Sequence, residues 1–246
     1  RRQRQMCKET ALTWKLTGGD REGTCVLAAY YELAEDARLH VSRLESGLTK
    51  TIIYDQRHSV LAARARADFY AAELGGEKII VHSYGKLFGD ASEMNERAIY
   101  AGRGRQHLDF FYHIDHVGKK TKAEIDLKGA LADESKKIFR GTLDFKRGCA
   151  GSVGDEGDFA IQLDPKTKNI SLPLLLCTED DVQGNHASSA GQLDQNTIYF
   201  LMSRGFTLEE ARRIVVEALI RPIIDGMDET IREEVLTAVR EKLDRE

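Results

Sequence analysis

The chain has 246 residues and a mass of 27.6 kDa; 31% of its residues are charged, yet acids and bases nearly cancel at a net charge of −4. Such a balance offers no strong field to nucleic acid or to an anionic membrane, and the longest apolar runs, 25–31 and 172–177, fall far short of the roughly 20 residues a membrane helix needs. Arg1, Arg2 and Arg4 read as a solvated end rather than a binding arm; four cysteines without paired spacing, Cys7, Cys25, Cys149 and Cys177, and no basic-then-apolar leader place the chain in a reducing cytoplasm.

Residues 1–20 are expected to form an N-terminal segment, followed by a β domain over 21–191. Alternation with period two runs through Ala37–Leu44, Lys78–His82 and Thr121–Leu127, which turns one face of each strand inward. Glycine-marked turns separate the strands, at Gly75-Gly76, Gly89-Asp90, Gly102-x-Gly104, Gly148, Gly151 and Gly154. Many short strands with few prolines mean a sandwich, a barrel or a β-solenoid. No strict repeat period emerges, and the irregular spacing leans towards the solenoid.

After Gly191 the period changes to about 3.6, which marks a helical domain over 192–246. Asp194 is placed to cap a helix ending at Arg204-Gly205. Thr207 and Glu210 form a capping box for a second helix, with a predicted stripe of Leu208, Ala211, Ile214, Val215, Ala218 and Leu219. Pro222 should kink or end it. A third helix aligns Ile231, Val235, Val239 and Leu243. Three helices in about 50 residues bury little alone, so they pack on the β domain or offer a face to a partner.

Several motifs fail on inspection. Gly102-Arg-Gly-Arg lacks the third glycine and the following helix of a dinucleotide fingerprint, and Gly118-Lys-Lys-Thr121 lacks the upstream glycine of a phosphate loop, so no nucleotide site of either type is expected. His113 and His116, three apart on a strand, point to opposite faces and do not share an ion. The dense cluster lies between Leu172 and Asp194. Extended alternation would set Cys177, Glu179 and Asp181 on one side, and a turn at Gly184 would bring His186 back towards them. Thiolate, carboxylate and imidazole together suit iron; a solvated acidic turn beside a buried cysteine is the plainer alternative.

The run Pro173 to Asp194, with Ile198–Gly205 and Glu209–Arg213, resembles the C-terminal signature of the SufB/SufD family of iron–sulfur cluster assembly scaffolds. Leu74-Gly-Gly76, Leu87-Phe-Gly89, Asp109–His116, Lys128-Gly129 and Phe139-Arg-Gly141 follow the same family pattern upstream. The resemblance implies a right-handed parallel β-helix with a small helical domain, pairing through the β-helix with a second copy or a SufB/SufD paralogue. It implies helices that dock a separate ABC-type ATPase, a transient iron–sulfur cluster as cargo and no enzymatic activity. His186 matches the family histidine. Where SufB proteins carry a cluster-binding cysteine this chain has Pro165–Ile170 without a thiol, so it looks like a SufD-like partner or a minimal scaffold that uses Cys177 and Glu179. On that basis His186 and Glu179 are expected iron ligands, Cys177 a thiol candidate and Asp181 an orienting carboxylate. The competing classes are a β-solenoid carbohydrate-active enzyme with Glu179 and Asp181 as paired acids, and a structural ATPase-binding partner that holds no metal.

Overall fold

The computed structural model describes residues 9–244, so Arg1, Arg2, Arg4 and Cys7 lie outside the described residues. The protein is mainly β, 56% strand, with three C-terminal helices. Thirteen strands alternate between two sheets: β1 (Glu9–Gly18), β3 (Arg38–Gly47), β5 (Arg66–Glu73), β7 (Glu93–Gly102), β9 (Lys122–Leu131), β11 (Ser152–Gln162) and β13 (Val182–Gln192) form sheet A in that order. The even strands β2 (Gly23–Leu33), β4 (Thr51–Leu61), β6 (Lys78–Leu87), β8 (His107–His116), β10 (Lys136–Phe145) and β12 (Lys168–Cys177) form sheet B. Every pairing is parallel and joins a strand to the one two further along the chain, which is a β-solenoid of about six turns. The first strand lies upstream of the boundary expected at residue 21, because Leu12 and Leu16 pack against the same core as the later turns.

The register explains why no period was visible. In sheet A the ladder runs from Glu9 to Arg38, Arg66, Glu93, Lys122, Val153 and Gln183, in steps of 29, 28, 27, 29, 31 and 30 residues. The strands superpose while the turns between them vary in length. Gly89 shows how closely the turns stack, since a Cβ there would lie 2.0 Å from the Ala63 nitrogen. Inside, alternate residues form rows along the solenoid axis, such as Leu61, Leu87, His116 and Phe145 in sheet B. His116 is thus a core residue stacked on Phe145 with Nδ1 bonded to Thr121 Oγ1, and burial pushes its pKa down to about 4; His113 faces outward. The two histidines do not converge.

The lumen is not wholly apolar. Arg43, Glu45, Asp55, Arg57 and Glu73 are all buried, with Arg57 donating to Asp55 Oδ2 at 2.7 Å and to Glu73 Oε1 at 2.7 Å. Arg43 also pairs with Asp55, Glu96 accepts from Ser83, and Lys137 pairs with Asp158. Aromatics are not confined to the core either: Tyr84 and Phe111 stack with His58, His82 and His113 along the outer face of sheet B.

The helices are α1 (Gln195–Ser203), α2 (Leu208–Asp225) and α3 (Glu229–Leu243). Asp194 caps α1 through the Asn196 and Thr197 amides, and the Thr207–Glu210 capping box opens α2. Helix α2 runs through Pro222 to Asp225, and its buried face is Ala211, Val216, Ile220, Ile223 and Ile224; of the predicted stripe Ala211 is buried and Leu219 packs beside this face, while Ala218 is exposed. The reason is a second core, in which Val216, Ile220, Ile223 and Ile224 and, from α3, Ile231, Val235 and Val239 pack on the outward side of Leu44, Ala72, Ile99 and Ala130 of sheet A. Burial against a sheet, about 1.5–3 kcal/mol for each large aliphatic, holds the last helical turn in place beyond the proline. Among the described residues no helix is long and apolar enough to cross a membrane.

Candidate functional site

β12 and β13 are the last strands of their sheets, so no further turn of the solenoid stacks on them. The register extends the inward rows onto this rim. In sheet A the row Phe69, Glu96, Ile125, Glu156 continues to His186, and in sheet B the row Leu87, His116, Phe145 continues to Cys177. His186 and Cys177 are therefore core-facing positions left exposed because no further turn covers them. An exposed imidazole and an exposed thiol at the end of the solenoid are accessible to a metal ion and to a partner chain.

The two do not meet. The strand stops at Cys177, and residues 178–181 form the turn into β13, so the extended alternation expected across Cys177, Glu179 and Asp181 does not occur. Gly184 is not a turn either: it lies within β13, where a Cβ would sit 3.2 Å from Phe145 Cε2 and 3.4 Å from Leu175 Cδ1. That Gly184–Leu175 layer stands between the Cys177 end of the strand and His186. Glu179 uses its carboxylate locally, accepting from the Gly148 amide at 2.8 Å and the Asp180 amide at 3.1 Å, and the Gly148 bond above all lowers its pKa. The carboxylate caps the turn below. Asp181 is exposed, and its carbonyl accepts from the Gly151 amide. Cys149, fully buried, lies close enough to feel Cys177 and Glu179, and burial raises its thiol pKa.

Among the described residues the one group of three candidate ligands within 4.8 Å is elsewhere, at His113, Asp115 and Asp144 on the outer face of sheet B. Lys146 already sits there, paired with both carboxylates, and supplies the positive charge. A surface groove of about 730 Å³ is also remote: its lining comes from turns around Gly47, Gly76 and Gly104 and from α3, with nothing from β12 or β13.

Glu156 is the residue that the motif reading missed. It lies one turn below His186 in the same inward row, is only 3% exposed, and neither carboxylate oxygen has a hydrogen-bond partner of normal geometry. Its side chain crosses the lumen onto Gly141, where a Cβ would come 1.9 Å from Oε1; the Leu174 amide nearby pulls only weakly on it. Burial, then the Asp158 charge, pushes its pKa up to about 8. No local motif marks it, since Gly-Asp-Glu-Gly-Asp reads as a polar turn.

A family profile described as SUF system FeS cluster assembly, SufBD core domain, matches residues 12–219. The chain is 26% identical over 204 residues to the iron–sulfur cluster assembly protein SufD of Bacillus subtilis strain 168, which covers 82% of this chain and 46% of that protein. It is 24% identical over 216 residues to an iron–sulfur cluster assembly SufBD family protein of Mycobacterium leprae, covering 84% and 55%. A SufBD family protein of Mycobacterium tuberculosis is 23% identical over 236 residues, covering 92% and 59%. The chain thus spans about half the length of these curated relatives. With a profile match running through all but the ends of the chain, over a two-sheet parallel solenoid, the chain belongs to the SufBD family of the SUF iron–sulfur cluster assembly system.

Proposed function

We propose that this chain is a non-enzymatic scaffold subunit of the SUF machinery, on which iron and sulfide assemble into a labile cluster at the exposed end of the solenoid. The observation that carries this reading is His186: it ends an inward row and is exposed, and the resemblance matches it to the family histidine. Imidazole and carboxylate bind ferrous iron less tightly than a set of thiolates, which suits a cluster that must leave. Cys177, exposed on the same rim but one layer away, is a thiol for a second ligand set rather than a partner of His186. Glu179 holds the 146–151 turn and serves iron only if it gives up its backbone bonds. Anaerobic reconstitution with iron and sulfide tests the reading: His186→Ala should lose most of the charge-transfer absorption that the wild type gains, and equal cluster content in both proteins would reject the assignment.

The same rim supports pairing. β12 exposes Ile170, Leu172, Leu174 and Leu176 beside an unpaired strand edge, and Pro173 is tolerated there because an edge strand need not donate on its free side. A second copy or a SufB/SufD paralogue stacked on this edge would bury that row and enclose His186.

For the ATPase the supporting surface is α1 and its exit, where Tyr199 is 76% and Phe200 54% exposed, with Met202 and Phe206 beside them. Aromatic anchors of this kind carry binding energy at interfaces. Tyr199→Asp combined with Phe200→Asp should weaken calorimetric binding of the ABC-type ATPase at least ~10-fold with the thermal midpoint unchanged, because neither side chain belongs to the core. Unaltered affinity would place the docking surface elsewhere.

A further inference from the structure

Buried carboxylates are ordinarily paired or hydrogen-bonded, because desolvating a charged group without compensation is costly. Asp55, Glu73 and Asp158 obey that rule in this lumen through Arg57 and Lys137. Glu156 has no such countercharge: the Leu174 amide is the group that draws on it, and the chain has made room for its carboxyl by placing glycine at Gly141 on the opposite wall. It is also the last buried residue of its row, directly beneath His186.

Resting on the assignment of His186 as a metal ligand, we propose that Glu156 is the inner ligand of the same site, so that a divalent metal ion arriving at the exposed end of the solenoid is held between the Glu156 carboxylate and the His186 imidazole. Paired residues on adjacent parallel strands stand about 4.8 Å apart and project to the same side. Two long inward side chains at that spacing can bring one oxygen and one nitrogen to opposite sides of an ion at about 2.0–2.2 Å each, as transition metals require. The pair supplies one hard and one borderline donor, a set suited to ferrous iron before sulfide arrives. It also accounts for an acid buried with no cation beside it: on binding, the metal displaces the proton and takes the place that Arg57 and Lys137 fill for the other lumen carboxylates. Glu156 is thereby a specificity element for loading, since an amide or an apolar residue there would leave His186 as a single weak ligand.

The test is anaerobic titration of the full chain with Co²⁺ alone, followed by its visible d–d absorption, for wild type, Glu156→Gln, His186→Ala and the double variant. Glutamine keeps the shape and removes only the charge, so the fold is expected to survive, with Glu156→Leu as a second variant should Gln fail to fold. The proposal predicts at least a ~10-fold loss of affinity in each single variant and little further loss in the double, the sign of two ligands on one ion. Wild-type affinity in Glu156→Gln with a loss in His186→Ala would overturn the proposal and leave the His186 assignment standing. Wild-type affinity in His186→Ala would overturn both.

Discussion

Replacing Arg57 by methionine is expected to destabilise the protein by about 3–5 kcal/mol, the usual consequence of removing one partner from a buried ion network. The guanidinium donates to Asp55 through Nε at 3.0 Å and Nη2 at 2.7 Å, and to Glu73 at 2.7 Å, with all three residues sealed in the lumen. Without it Asp55 keeps only Arg43, and Glu73 loses its charged partner in a site from which water is excluded. Denaturant unfolding followed by circular dichroism checks this: the midpoint should fall while the slope is retained, because the same surface is exposed on unfolding. A loss below about 1 kcal/mol would mean that Asp55 and Glu73 can be neutralised or hydrated where they stand.

The contributions of Glu45 and Glu156 to stability should fall as pH rises from mildly acidic to alkaline, opposite to what ordinary paired carboxylates produce; the depressed pKa values of His116, between about pH 4 and 6.5, and of Lys242, above about pH 7, act with the other sign. Glu45, buried and repelled by Glu73, has its pKa raised from 4.5 to about 9, and Glu156 is raised to about 8. A carboxyl whose folded pKa lies above its unfolded value holds a proton that the unfolded chain has released. Its stabilisation is complete below about pH 4.5 and is lost as pH climbs through the folded pKa, at up to about 1.4 kcal/mol per pH unit for each such group. Glu45→Gln mimics the protonated form, so the thermal midpoint of the wild type relative to the variant should fall between pH 5 and 9, and the variant should be the more stable at pH 9. Parallel profiles would show that Glu45 is ionised in the folded protein.

Much of this architecture was legible in the sequence, and the exceptions share one physical cause. The strands, the glycine turns and the change of period after Gly191 were readable because each is local. What resisted reading depends on which surface a side chain meets. In β11 the apolar residues Phe159 and Ile161 point outward, where Ile161 meets the helices and Phe159 lies under Lys128, while Glu156 and Asp158 point into the lumen. A rule that sends apolar residues inward assigns that strand the wrong face. Helix α2 carries apolar residues at 214, 215, 216, 219 and 220, two overlapping stripes, and only the sheet beneath selects Val216 and Ile220.

The site was half legible for the same reason. His186 stood out through the family resemblance, and the structure places it exposed on β13, the last strand of sheet A. Cys177, Glu179 and Asp181 drew attention by closeness in sequence, but the turn at 178–181 separates the thiol from the imidazole and commits Glu179 to the Gly148 amide. Glu156, thirty positions before His186, becomes its neighbour only once the coil length of that turn is known. In a solenoid the distance that matters is one turn, and its length is set by loops that sequence periodicity does not reveal.

The most direct measurement on the central claim is pulsed electron paramagnetic resonance of the reduced cluster reconstituted on the chain with its scaffold partner and ATPase. A nitrogen coupling from a directly bound imidazole is expected in the wild type and should disappear in His186→Ala. A spectrum without such a coupling, or one that persists unchanged in the variant, would contradict that claim.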